Sequence, residues 1–385
     1  MDDGSRARPR LLAPLEDPLE EGEVNLDDAE AEEEDAAPAR HAVSPTLPTD
    51  EREIERHRVD HYPFRSWCKY CICGRGIGQP HAKTASNSAI PVVGMDYYFI
   101  TSEGVRRRDE LKFAADETGE QQLAEARRTG EVIKCIIVRC MMTKNVLTHV
   151  VPQKGNDEEQ YCANLVVEDF KWLGHTRVIL KSDNEKSIEA LRARVARIMK
   201  VQEHVVNVQE ETPNTYDSQS NGGIEVGIRL VRGMFRTLKL CLEARLQKYM
   251  PINHATTTWL LEHVSMIINS RCRGSDGMTP WQRLKGRNFR QLILGFGESV
   301  LYKLPSKGPH SQPDGNMGTR WLEGTFLRYS RSSNTYVIAT KDGVTTARSL
   351  YRRPMANRWS HERVAAIAAT PWSVREKPVA AQMAG

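Results

Sequence analysis

Val92-Val93-Gly94-Met95-Asp96-Tyr97-Tyr98-Phe99-Ile100 reads as one buried β-strand with a single carboxylate in its middle. Most of its positions are β-branched or aromatic, the composition of a central strand rather than an edge strand. An Asp there is costly to bury unless it is paired, hydrogen-bonded or bound to metal. Two acids downstream stand where they can share that burden. Asp183 follows the apolar run Thr176–Leu180, in Ser182-Asp183-Asn184-Glu185. Glu225 opens a long amphipathic stretch, after Asp217-Ser218-Gln219-Ser220-Asn221-Gly222-Gly223-Ile224. A strand Asp, a strand-end Asp and a helix-start Glu suit a two-metal carboxylate site.

Around this strand the pattern predicts an α/β core. Val132–Cys140 and Asn145–Val151 read as two more apolar strands, the second ending at Pro152. Asp157–Leu173 has helical spacing through Tyr161, Leu165, Val166, Phe170 and Leu173. Thr176–Leu180 is then a strand, Glu185–Lys200 a helix and His204–Val208 a fifth strand. Three strands followed by alternating helix and strand form a mixed sheet with helices on its faces. Between the first two strands, the polar segment Thr101–Gly130, with Arg106-Arg107-Arg108, reads as a hairpin insertion or loop.

The helix from about Ser220 to Gln247 has two faces. Ile224, Ile228, Val231, Phe235, Leu238 and Leu242 form a core stripe. Glu225, Arg229, Arg232, Arg236 and Lys239 step along a neighbouring face, one carboxylate heading a row of cations. That order suits a metal-holding Glu with phosphate-holding cations beside it. The bland alternative is a solvated basic face. A further helix is expected over residues 256–272, and Met278-Thr279-Pro280-Trp281 opens a short one.

The flanks carry different signals. His57-x3-His61-x6-Cys68-x2-Cys71, with His81 beyond, is a zinc-knuckle pattern, because Cys-x2-Cys lets two thiolates reach one tetrahedral ion. His61, Cys68, Cys71 and His81 are the favoured ligands and His57 is the substitute, with Trp67 and Tyr70 packing over the unit. Thr84–Ala89 is a polar linker. From Ser299 onward, Val300–Leu304, Gly324–Tyr329, Thr335–Thr340 and Val344–Ala347 read as strands of a small β barrel, with a loose tail after Trp359. The expected division is an acidic tail (1–52), zinc knuckle (53–86), catalytic core (87–290), barrel (291–358) and tail (359–385).

The 385 residues carry a formal charge of +4 that hides an asymmetry. Residues 1–50 hold fifteen Asp or Glu against four Lys or Arg, a net of −11, so the rest carries +15. A basic body with an acidic, disordered tail suits a polyanion partner. No apolar run is long enough to span a membrane, and Met1–Arg10 has no apolar signal region. The cysteines outside the knuckle sit in apolar runs, which is reduced, intracellular usage.

Zinc knuckle, carboxylate core and small barrel, in that order, resemble a retroelement integrase of the copia-type retrotransposon branch. Asp183-Asn184 resembles that family's Asp-Asn-Gly element, with Glu185 where Gly is usual. Ser218-Gln219-Ser220-Asn221-Gly222 followed by Glu225 resembles its Pro-Gln-x-Asn-Gly-x-x-Glu element. Thr279-Pro280-Trp281 and Gly324-Thr325-Phe326-Leu327 resemble later segments. The resemblance implies a ribonuclease-H-like core of five strands and a catalytic triad of Asp96, Asp183 and Glu225 holding two Mg²⁺ or Mn²⁺ ions, with one Zn²⁺ in the knuckle. It implies 3′-end processing and strand transfer on DNA in the nucleus. The protein would act as a homo-oligomer assembled on element ends and target DNA, with no membrane and no small-molecule substrate. Lys181, Asn221, Arg229, Arg232 and Arg236 are the expected nucleic-acid contacts.

Three departures stand out. There are 86 residues between the first two acids and 41 between the last two, both long for the family. Val226 replaces a common basic residue, and the His61-to-Cys68 gap is short. Two other readings use the same residues: a nuclease of the same fold without strand transfer, and a non-catalytic DNA-binding remnant of an element. With no protease or reverse-transcriptase segment, the chain reads as a processed product, a polyprotein fragment or a derived host gene.

Overall fold

A computed structural model of the chain describes residues 50–75, 90–108, 110–113, 117–152, 158–183, 185–201, 207–211, 222–303 and 317–374. The chain opens with α1 (Glu51–Asp60), N-capped by Asp50 accepting from the Arg52 amide at 2.9 Å, and α2 (Lys69–Arg75). A hairpin of β1 (Val92–Thr101) and β2 (Gly104–Arg106) leads to α3 (Glu117–Thr129). Then come β3 (Val132–Cys140), β4 (Val146–Val150), α4 (Glu158–Leu173), β5 (Arg177–Ser182), α5 (Lys186–Val201) and β6 (Asn207–Glu211). Three helices follow: α6 (Gly222–Leu246), α7 (Thr256–Arg271) and α8 (Pro280–Lys285).

β1 is central, in the order β4-β3-β1-β5-β6, with β2 paired to β1 outside that path. β3 is antiparallel to β1 and β4, whereas β5 runs parallel to β1 and β6. The expected mixed sheet is present. Alternation along β1 divides its side chains between two cores. Val93, Met95 and Tyr97 pack with α4 and α5, while Tyr98 and Ile100 pack with α6 and α7. The predicted stripe of α6, from Ile224 to Leu242, is buried throughout. Each such side chain contributes roughly 1.5–3 kcal/mol by leaving water.

The insertion after β1 holds more structure than its sequence suggests. Beyond the hairpin, α3 packs Leu123 and Ala126 on Phe99 and Val132. So few apolar residues on one face left no legible helical period.

The C-terminal strands β7 (Ser299–Lys303), β8 (Trp321–Ser330), β9 (Thr335–Thr340), β10 (Gly343–Ala347) and β11 (Leu350–Arg352) form an antiparallel sheet ordered β10-β9-β8-β7-β11. The predicted barrel is corrected here: among the described residues β10 and β11 do not pair, and the sheet is open. β11 is only three residues long, and the β10 edge is met by chain instead, Val344 N–H donating to the Val374 carbonyl at 2.8 Å. The loose tail is also corrected as far as Val374. α9 (His361–Ala365) is capped by Ser360, and Val364, Ile367 and Ala369 are buried. Trp259 Nε1 donates to the Ala369 carbonyl at 2.7 Å.

A buried charge network joins this sheet to the core. His149 on β4 lies 2.9 Å from Asp169 on α4 and 3.5 Å from Glu262 on α7. Arg331 reaches Asp169 at 2.7 Å, and Arg328 of β8 reaches Glu262 at 2.5 Å. Burial alone would lower the His149 pKa, but Asp169 and Glu262 outweigh it and push it up to about 9. Burial likewise opposes ionisation of Glu262, and Arg328 and His149 bring it down to about 2.

Candidate active site and metal centre

The register of the parallel pair brings the first two acids level. Gly94 faces Lys181 and Met95 faces Ser182, so Asp96 and Asp183 lie one residue beyond the last registered pair. Parity puts them on one face: Val178 and Leu180 point to the α4–α5 side with Val93 and Met95. The alternate positions Gly94, Asp96 and Asp183 therefore point to the α6 side. α6 starts directly over them. A Cβ on Gly94 would meet Ile224 Cδ1 at 2.6 Å, and one on Gly223 would meet Met141 Sδ at 2.5 Å. Glycine is what lets the helix start, and with it Glu225, approach this strand. The Arg139 guanidinium donates to the Gly223 carbonyl and pins the same turn.

The three carboxylates have unequal surroundings. Asp96 is half-buried and accepts from the Tyr97 amide at 2.7 Å. Burial, reinforced by the Asp183 and Glu185 charges, pushes its pKa up to about 7 despite that hydrogen bond and Arg107. Asp183 and Glu185 are exposed. Glu225 is ion-paired with Arg107, from the insertion after β2. Arg232 is likewise paired with Glu110 of that insertion at 2.7 Å. The insertion thus lies over the start of α6 and engages part of its polar face.

The proposed phosphate contacts are scattered in state. Arg236 is exposed; Arg229 and Lys181 are half-buried with partners of their own; Lys239 is held by Glu243 at 2.5 Å. Asn221 lies outside the described residues. One positioning contact escaped sequence reading. Arg192 of α5 donates to Ser182 Oγ at 3.0 Å, immediately before Asp183. A buried Arg on an amphipathic helix gives no sequence signal of its target.

A second cluster lies at the N-terminal end. His57, His61, Cys68 and Cys71 are all buried, with one ligand atom each within 4.8 Å of the others. It is the only such group of three or more His, Cys, Asp or Glu among the described residues. His57 lies in the last turn of α1, and His61 is its C-cap, with a left-handed backbone and its N–H donating to the His57 carbonyl at 2.7 Å. His57 Nε2 lies 3.3 Å from Cys71 Sγ, and His61 Nδ1 lies 3.5 Å from Cys68 Sγ. The substitute His57 joins His61, Cys68 and Cys71 in this cluster, and the favoured His81 lies outside the described residues.

The donor set fits zinc. Burial holds His61 near a pKa of about 4, keeping the imidazole neutral and able to ligate. Hydrogen bonding from Cys71 and from backbone amides, against the opposing burial, lowers Cys68 to about 6, towards the thiolate. Trp67 packs on His57 at 4.8 Å between ring centroids and Tyr70 on His61 at 5.9 Å, as the sequence predicts. The unit is docked rather than tethered. A Cβ on Gly74 of α2 would overlap Thr237 of α6, and one on Gly233 would lie 3.0 Å from Arg75 Cβ.

No helix among the described residues is long and apolar enough to cross a membrane. No protein-family model and no curated protein matches the sequence. Solved structures similar to it include two of integrase chains. One is a chain of the simian T-cell lymphotropic virus intasome in complex with PP2A regulatory subunit B56 gamma, at 9% identity and a TM-score of 0.31. That match covers 70% of this chain and 84% of the other. The second is the HTLV-2 integrase catalytic core domain in complex with magnesium (dimeric form), at 9% identity and a TM-score of 0.29. It covers 52% of this chain and 100% of the other. At such TM-scores the likeness fixes neither fold nor function.

Proposed function

We propose that the chain is an integrase-type polynucleotidyl transferase of the copia-like branch, with Asp96, Asp183 and Glu225 as its catalytic carboxylates. The observation that carries the reading is the face that Asp96 and Asp183 share. Strand register and parity support that common face, and Glu225 stands in the first turn of α6, whose Ile224 packs on Gly94 of the same strand. The order of motifs supports the same assignment. Oxygen donors from three carboxylates suit Mg²⁺ or Mn²⁺, and the raised Asp96 pKa marks a place where a cation relieves repulsion. When bound, such ions supply activation of the attacking oxygen and stabilisation of the leaving one. The chain's own part is to hold the carboxylates on a rigid sheet and orient Asp183 through Ser182 and Arg192. Exposed cations such as Arg236 are left to meet DNA phosphates.

The soft His57, His61, Cys68 and Cys71 set is assigned to one structural Zn²⁺, chemically separate from the carboxylate site. The partner is DNA, bound by a chain that oligomerises on it. A test incubates purified full-length chain with short blunt DNA ends and Mg²⁺, following end trimming and joining. Asp96→Asn, Asp183→Asn and Glu225→Gln should each abolish both steps, while Glu185→Gln keeps much of the activity. Survival of Glu225→Gln with loss in Glu185→Gln would move the third carboxylate to Glu185. Trimming without joining would favour the nuclease reading.

A further inference from the structure

We propose that the cleft between α1, the end of α7 and the C-terminal sheet binds an unpaired stretch of a nucleic-acid strand. Arginines would take its phosphates and an apolar floor would take a base. The inference rests on the nucleic-acid reading above and adds a site that the carboxylate motifs do not include. The cleft encloses about 720 Å³, within the roughly 300–1,000 Å³ of ordinary ligand pockets.

Its charge is unlike that of a solvated surface. Six lining residues are arginines, none is lysine, and three are carboxylates. Two of those carboxylates are committed: Asp60 to Arg271 at 3.0 Å, and Glu55 to Arg245 at 3.3 Å. Arg352 is gripped by both oxygens of the buried Glu298 at 2.7 and 2.9 Å, and Arg358 lies 3.4 Å from the same carboxylate. These contacts fix one wall. Arg52 and Arg56 on α1 and Arg290 opposite are exposed, with no ion-pair partner among the described residues. They bring uncompensated guanidinium groups to one cavity from two separate segments.

The floor decides between duplex and single strand. Leu292 and Met355 line the cleft while 51% and 56% exposed, beside the buried Val59 and Ile293. A duplex offers phosphates outward and hides its bases, so it has no use for apolar surface behind the arginines. An unstacked base covers such surface, and a guanidinium plane both stacks on a base and forks onto a phosphate. The wall also depends on the zinc-type centre, since Arg56 adjoins His57 on α1, the helix that His61 caps.

The test uses the full zinc-loaded chain without added magnesium, titrated against a labelled short oligothymidylate and a blunt duplex of equal length. A triple Arg52→Gln, Arg56→Gln, Arg290→Gln variant should bind the single strand about tenfold more weakly, with a shallower salt dependence. A Leu292→Ser, Met355→Ser variant should weaken the single strand and leave the duplex nearly unchanged. All five positions are exposed, so zinc content and the melting midpoint should stay at wild-type values. Unchanged oligothymidylate binding, or equal losses on strand and duplex, overturns the inference. Its failure is separable from failure of the catalytic reading. A chain that trims and joins DNA ends while both variants bind oligothymidylate normally loses only this site. A chain that binds through the cleft but never trims an end loses only the catalytic assignment.

Discussion

Asp169 and Asp96 are the same residue type in two packed settings, and their protons are held in opposite ways. Asp169 is fully enclosed, yet His149 and Arg331 carry its pKa below the usual carboxylate value. Asp96 is less enclosed, yet it rises to about 7, with Asp183 and Glu185 adding to the effect of burial. Burial penalises the anion in both places. The first group is completed by cations of the chain itself, so it is architecture. The second gathers acids with one arginine against them, so its carboxylate is left under-compensated by the chain. This contrast, rather than burial, separates structural carboxylates from candidate catalytic ones here.

The largest effect is expected at the His57, His61, Cys68 and Cys71 cluster, to which we assign a structural zinc. Structural zinc in small modules is worth on the order of 10 kcal/mol. α2 is locked on α6 through Gly74, so zinc loss in Cys71→Ser should lower the melting midpoint of the whole chain, by about 10 °C or more. A variant that lacks zinc but melts like wild type would show the cluster to be ornamental.

Breaking the completed network should come next. Glu262→Gln leaves His149 and Arg328 short of a counter-charge and should cost about 3–5 kcal/mol, read by urea unfolding. The raised His149 pKa sets the pH dependence. Its stabilisation is fully present below its ordinary value of 6.5 and is lost as pH rises through about 9. A flat stability profile between pH 7 and 10 would count against this coupling.

At the incomplete site the sign is the same, but the form that burial penalises there is the anion. Because the native state raises the Asp96 pKa, it binds this proton more tightly than the unfolded chain. Stability therefore falls as pH rises from the ordinary value of 3.8 to about 7. Without divalent ions, Asp96→Asn should melt higher than wild type at pH 8, by a few degrees, and the gain should vanish near pH 4. A variant destabilised at pH 8 would mean that the Asp96 carboxylate is already compensated.

The sequence carried much of this because the decisive elements have strong periods. Val132–Cys140 is a strand with the predicted bounds, and the α6 stripe is buried as read. The sequence placed Asp96 within a strand, Asp183 at a strand end and Glu225 at a helix start. It could not report that parity puts Asp96 and Asp183 on one face or that Arg107 meets Glu225, because both depend on pairing between distant segments. The same holds for His149, Asp169, Glu262, Arg328 and Arg331, which are spread over four separate stretches. The barrel failed for a related reason: alternation shows that strands exist but not whether the outermost ones meet. Sequence spacing could not choose between His57 and His81 as the fourth ligand, because either reaches the Cys68–Cys71 knuckle only through how the chain folds.

The central claim is that the Asp96 site is completed by a divalent cation rather than by the chain. Its most direct test is a Mn²⁺ titration of the zinc-loaded protein at pH 7.5, followed by electron paramagnetic resonance. The account predicts that wild type binds Mn²⁺ and that Asp96→Asn and Asp183→Asn lose that binding. Arg107→Gln, which frees Glu225, should bind several-fold more tightly. Binding that is the same in wild type, Asp96→Asn and Asp183→Asn would contradict it, because the carboxylates would then play no part in holding the ion.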